Sequence, residues 1–194
     1  EPFEPFPISR RGFLFSAAGV SLTAAMAGES QAKRKIAPDS SIRVGLIGRD
    51  GHTGILLDSI PRMQRVQLTA YAKGRPEEDS AWIQEHPACT KQTRVYENYQ
   101  EMLEREKFDV AGVCLPYYQN AEASIQAARK GIHVLSEKPA ATNLEDLERL
   151  AREVCQSGVR YSIMLAMRAM PIFQAARTAV QQGAVGEPIL ISSQ

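Results

Sequence analysis

The chain has 194 residues, 44% of them hydrophobic and 23% charged, with a formal net charge of +1 at pH 7. That length suits one ordinary domain, or one domain and part of another. The balanced charge argues against a dedicated nucleic-acid binder, which shows a basic excess or stripe.

Near the start, Ser9-Arg10-Arg11-Gly12-Phe13-Leu14 follows the order of a twin-arginine export motif, and the mild apolar run FLFSAAGVSLTAAMA comes after it. Ala25-Met26-Ala27 then supplies small residues at the two positions a signal peptidase reads. An amphipathic helix start is the plainer alternative. No stretch has the roughly 20 apolar residues of a bilayer span. Residues 1–27 therefore read as a twin-arginine signal peptide and residues 28–40 as a polar linker. The expectation is a periplasmic or otherwise exported protein with the twin-arginine machinery as a partner. That route carries folded proteins, so a cofactor is acquired before export.

From Ile42 short apolar runs alternate with amphipathic stretches. Strands are predicted at Ile42–Ile47, Val66–Ala72, Arg94–Tyr96, Asp109–Leu115, Ile132–Leu135 and Val159–Leu165. Helices fall at His52–Ile60, Pro76–His86 (acidic in its first turn), 99–106, Ala121–Lys130 (closed by Gly131) and 144–157, with Asn143 as its cap and Gly158 as its stop. Strands alternating with helices predict a doubly wound parallel sheet, a Rossmann-like α/β domain over residues 41–165. Pro171–Gln182 reads as a further helix, and GAVGEPILISS turns into a strand. Residues 166–194 are thus expected to begin a second α/β domain that the chain does not complete. The cysteines, Cys89, Cys114 and Cys155, lie far apart, with no CxxC pair and no His/Cys cluster at metal-ligand spacing. Neither a zinc site nor a disulfide framework is indicated, and Cys114 and Cys155 read as buried thiols.

Ligands of such a sheet lie beyond the carboxyl ends of its strands. The loop after the first strand is GRDGHTG, where Gly48, Gly51 and Gly54 give G-x-x-G-x-x-G, one residue longer than the common G-x-G-x-x-G. It reads as a pyrophosphate loop or as a plain turn. Arg49 adds a charge for a phosphate, and Asp50 repels one unless it points away. After the second strand, where a carboxylate accepts the ribose hydroxyls of NAD, stand Lys73-Gly74-Arg75. The two basic residues suit the 2′-phosphate of NADP or are a solvated pair, which leans the cofactor slightly from NAD toward NADP. After the fourth strand, LPYYQN (Leu115–Asn120) either walls the nicotinamide side of a cleft or covers the sheet edge. After the fifth, Glu137-Lys138-Pro139 places a lysine that donates to a substrate oxygen or relays a proton, unless it is an ordinary surface turn.

The series VGLIG…G, VYENYQEMLEREKFDVAGVCLP and AARKGIHVLSEKPAATNLEDLERL resembles the glucose–fructose oxidoreductase / inositol dehydrogenase (Gfo/Idh/MocA) family from about Ile42 onward. GIHVLSEKPAATNLED carries most of the likeness, and Arg168 and Pro171 in MRAMP add to it. The resemblance implies hydride transfer between NAD or NADP and a sugar or polyol. It also implies a C-terminal substrate domain with an acid/base histidine, and a homo-oligomer. It makes Lys138 catalytic. Around the cofactor it and the loops place Gly48, Arg49, Gly51, His52, Thr53, Gly54, Lys73, Arg75, Leu115, Pro116, Glu137, Lys138, Pro139 and Arg168. A histidine frequent in the family after the fourth strand is Asn120 here. Two other readings stay open: an exported glycosidase that keeps NAD and oxidises its sugar transiently, and a non-catalytic relative. By itself the chain is expected to be inactive.

Overall fold

A computed structural model describes residues 40–189 of the chain. The expected signal peptide, nearly all of the linker and the strand expected beyond Ile189 lie outside those residues.

Six parallel strands form one sheet in the order β3-β2-β1-β4-β5-β6. They are β1 (Ile42–Ile47), β2 (Val66–Ala72), β3 (Arg94–Tyr96), β4 (Val110–Val113), β5 (His133–Ser136) and β6 (Tyr161–Ile163). The central strand β1 pairs β2 on one side (Ile42 with Val66) and β4 on the other (Val44 with Val110). The chain therefore runs outward from β1 twice, in opposite directions. The loops leaving β1 and β4 part there and open a crevice at their carboxyl ends.

The helices are α1 (Thr53–Ser59), α2 (Ala81–Gln84), α3 (Tyr99–Arg105), α4 (Asn120–Arg129), α5 (Leu144–Ser157) and α6 (Pro171–Gln181). Asn143 accepts the Asp146 amide at the start of α5, and Gly158, at φ +67°, ends it. Both signals were in the sequence.

Each face of the sheet has its own apolar layer. One gathers Ile47, Ala70, Phe108, Val113, Ala127 and Val134; the other gathers Leu46, Leu57, Leu68, Tyr71 and Ile83. Two strand glycines set how closely these layers approach. A Cβ on Gly45 would lie 2.8 Å from the Phe108 ring, and one on Gly112 would lie 2.5 Å from Leu56 Cδ2 of α1. A Cβ on Gly54 would meet nothing within 4 Å. Close packing of α1 on the sheet therefore comes from Gly112 of β4, not from the last glycine of the loop.

Several predicted edges move. The helix expected over Pro76–His86 shrinks to Ala81–Gln84, because Arg75–Glu78 makes a turn in which Glu78 N donates to Arg75 O at 3.1 Å. Pro76 presets that turn. The ladder of β4 starts after Asp109, whose carboxylate is held by the Arg43 amide and guanidinium. Strand β6 is confined to Tyr161–Ile163 at the sheet edge. Cys155 is exposed, contrary to expectation, since α5 buries only Leu150 fully. Helix α6 leaves Ile172, Phe173 and Val180 exposed, and residues 182–189 contain no strand.

Replacing Gly45 with Ala drives a methyl into the fully buried Phe108 ring. We expect a loss of about 1–3 kcal/mol, read as a lower urea midpoint at unchanged slope.

Candidate functional site

The loop after β1 is fixed from below. Gly48 N donates to Ala72 O and Asp50 N to Cys114 O, both at 2.8 Å, so the loop straddles the ends of β2 and β4. Gly48 and Gly51 have φ of +74° and +67°. A Cβ at Gly48 would sit 2.3 Å from Cys114 O, and one at Gly51 would sit 2.6 Å from the Glu137 carboxyl carbon. Glycine is required at both for backbone sign and for space. Thr53 turns inward, its hydroxyl donating to Asp50 O at 2.9 Å. The amides of Arg49, Gly51 and His52 have no acceptor among the described residues.

At the end of β2 both predicted cations are paired. Lys73 Nζ lies 2.9 Å from Glu97, and Arg75 lies 2.7 Å from Asp50 of the loop. Asp50 thus points toward Arg75, and the Arg49 guanidinium rests 5.7 Å over the Trp82 ring. The Arg75–Glu78 turn also returns a carboxylate that the sequence reading did not find. Glu78 is buried, Oε2 accepts the Gly74 amide at 3.1 Å, and Oε1 has no partner among the described residues. Burial pushes the Glu78 carboxyl above its ordinary value, while the Gly74 N–H and the nearby Arg49 charge pull it down. Gly74 permits this approach: a Cβ there would lie 3.1 Å from Gly48 Cα and 3.2 Å from Glu78 Oε2. The available signal was Pro76 inside a four-residue turn, which displaces the acid by a few residues from its usual place.

Across the crevice, Leu115 is buried under Gly48 and Gly74, so it forms the floor of the loop. Asn120 is fully buried and accepts the Leu115 amide at 3.1 Å, which holds the turn after β4. Pro116, Tyr117 and Tyr118 line a cavity of about 580 Å³ with Arg49, Asp50 and Gly51. Tyr118 also borders a second cavity of about 340 Å³ that includes Lys73, Gly74 and Arg75. The two together trace a groove across the ends of β2, β1 and β4.

The turn after β5 completes the site. Glu137 is fully buried, its amide donates to Val113 O at 2.7 Å, and Oε1 lies 2.6 Å from His52 Nδ1. Its Oε2 has no partner among the described residues. Lys138 is half exposed, with Nζ 3.9 Å from Glu137 Oε1 and 5.7 Å over the Tyr117 ring. A cis peptide joins Lys138 to Pro139. The structure therefore brings Gly48, Gly51, His52, Pro116, Glu137 and Lys138 to one crevice. Gly54 faces open space. Arg168 is exposed on the turn after β6, its carbonyl accepting from the Gln174 side chain. Among the described residues no group of His, Cys, Asp and Glu is arranged to hold a metal.

Residues 42–165 match the Gfo/Idh/MocA model, described as an oxidoreductase family with an NAD-binding Rossmann fold. The chain belongs to this family. Among its relatives, a glycosyl hydrolase family 109 protein of Solibacter usitatus is 23% identical over 150 residues, covering 71% of this chain and 34% of that protein. The scyllo-inositol 2-dehydrogenase (NADP+) of Bacillus subtilis is 28% identical over 118 residues, or 61% of this chain and 35% of that one. The WlbA dehydrogenase of Bordetella pertussis, solved with NADH and UDP-GlcNAcA, superposes with a TM-score of 0.66 at 27% identity, over 75% of this chain and 43% of that one. This Gfo/Idh/MocA chain thus spans less than half the length of these relatives.

Two outcomes follow from the geometry. Burial pushes the Cys114 thiol up to about 12, with the Thr53 hydroxyl opposing. An unfolded thiol ionises near 8.5, so above that pH the unfolded chain holds fewer protons and stability falls, by about 1 kcal/mol per unit up to pH 12. Chemical denaturation between pH 8 and 11 measures this slope, and Cys114→Ala should flatten it. Gly51→Ala forces a methyl against Glu137, so the His52–Glu137 contact should break, seen as a changed His52 ring shift by NMR.

Proposed function

We propose that this chain is the dinucleotide-binding part of an NAD(P)-dependent oxidoreductase that moves hydride to or from a carbon of a sugar or polyol. The observation that carries the reading is the crevice itself, where the Gly48–Gly51 loop and Lys138 meet across the ends of β1, β4 and β5. The residues present fit a dinucleotide: unmatched loop amides face a groove lined by Pro116, Tyr117 and Tyr118. Such amides, with φ of +74° and +67° at Gly48 and Gly51, form the kind of concavity that holds phosphate oxygens.

When bound, the nicotinamide supplies the hydride acceptor or donor. The chain supplies placement and proton handling. Lys138 Nζ, half exposed beside Tyr117, donates to the substrate oxygen and stabilises negative charge developing there. Glu137 lies behind it as a buried anchor tied by His52 to the phosphate loop, so the loop and Lys138 hold one geometry. The glycosidase relative supports a second reading, in which the same oxidation is transient, a leaving group is eliminated, water adds in its place and the oxidised carbon is then reduced again. Release of an aryl group from an aryl glycoside without net change in cofactor redox state separates the two.

We place export in the same proposal. Arg10-Arg11 and the apolar run after them direct the folded protein through the twin-arginine route, with its nucleotide already bound. Cell fractionation should recover the protein outside the cytoplasm, and Arg10→Lys with Arg11→Lys should retain it inside. Assembly into a homo-oligomer is part of the proposal for the complete protein.

Denatured full-length protein should release NAD or NADP, or the emptied protein should bind one when it is added; failure of both would overturn this reading. Lys138→Ala should lower kcat by about 10²–10⁴-fold and change nucleotide Kd by no more than about threefold. Unchanged turnover would remove Lys138 from the mechanism.

A further inference from the structure

The end of β2 is where a Rossmann domain distinguishes NAD from NADP, because the adenosine ribose arrives there. The sequence places Lys73 and Arg75 at that point, which suits a 2′-phosphate. The structure changes the balance of charge. Lys73 is paired with Glu97 at 2.9 Å and Arg75 with Asp50 at 2.7 Å, so the charge of each is already offset by a carboxylate. Three cations, Arg49, Lys73 and Arg75, face three anions, Asp50, Glu78 and Glu97. An incoming dianion finds no net positive charge.

Glu78 adds a buried carboxylate at the same strand end. Its carboxylate is carried back by the Arg75–Glu78 turn and seated on the Gly74 amide, beside Gly48 of the phosphate loop. The residue is more than nine-tenths buried, and Oε1 has no donor among the described residues. A buried acceptor left without a donor is costly, so a ligand hydroxyl that supplies one is bound with corresponding gain. Gly74, whose amide Glu78 accepts, lines the cavity at the end of β2 with Lys73 and Arg75.

We propose that Glu78 is the ribose-binding carboxylate of this chain and that, with Asp50, it selects NAD against NADP. The inference rests on the nucleotide-binding reading above. Selection has an attractive part, the hydroxyl given to Glu78, and a repulsive part, the 2′-phosphate set against Glu78 and Asp50.

The test is calorimetric titration of the full-length protein, freed of nucleotide, with NAD+, NADP+ and 2′-deoxyadenosine NAD+. The wild type should bind NAD+ at least about tenfold tighter than NADP+, and about tenfold tighter than the deoxy analogue. Glu78→Gln keeps the shape and should reduce both ratios at least about fivefold. Lys73→Ala with Arg75→Ala should leave NADP+ affinity within about threefold. NADP+ bound as tightly as NAD+ by the wild type would overturn the inference while leaving the nucleotide site standing. Equal binding of NAD+ and its deoxy analogue by the wild type would overturn it too, even where Glu78→Gln fails to fold. Binding of none of the three would defeat the reading of function as well.

Discussion

The site depends on one constraint: three glycines let three backbone segments come closer than any side chain would allow. Gly48 lies against Cys114 O, Gly51 against the Glu137 carboxyl, and Gly74 against Gly48 Cα. These contacts seat the loop of β1 on the ends of β2, β4 and β5 at once. The loop's free amides, the groove and the lysine then follow as consequences of the topology. The extra residue of G-x-x-G-x-x-G does not disturb this arrangement. The longer loop carries Asp50, which reaches across to Arg75 and ties the loop to the end of β2.

Charge in the crevice is arranged around two buried carboxylates. Glu137 and Glu78 each have one oxygen bound to the protein and the other without a partner among the described residues. Burying a polar group this way costs on the order of 1–3 kcal/mol each, more when it is charged. Sites that hold ligands are where such costs are retained, because the ligand meets the group left open. The two positions flank the loop on either side, at the β2 end and at the β5 end. That is the disposition a molecule spanning the crevice would use.

Much of this was legible from residues alone. The alternation of apolar runs gave the parallel sheet, and caps such as Asn143 and Gly158 gave both ends of α5. Gly-rich and Lys-bearing turns were found because they follow strands, and the topology then brought them together. The missing parts are those that depend on contacts distant in sequence. His52 meets Glu137 across 85 positions, and nothing local in either segment announces it. Glu78 was hidden for a different reason: acidic residues after a proline resemble the first turn of a helix. Pro76 instead makes a turn, and the turn carries the acid back to the sheet. The pairing of Lys73 and Arg75 was hidden for a related reason, since a sequence lists cations without their partners.

The central claim is that the β1 loop and its neighbours form one dinucleotide site whose ribose end is set by Glu78. A crystal structure of the full-length protein grown with saturating NAD+ tests it most directly. The account predicts the pyrophosphate on the amides of Arg49, Gly51 and His52, with the adenosine ribose hydroxyls on Glu78. A nucleotide bound elsewhere, or a ribose held by Lys73 and Arg75 with Glu78 untouched, would contradict it.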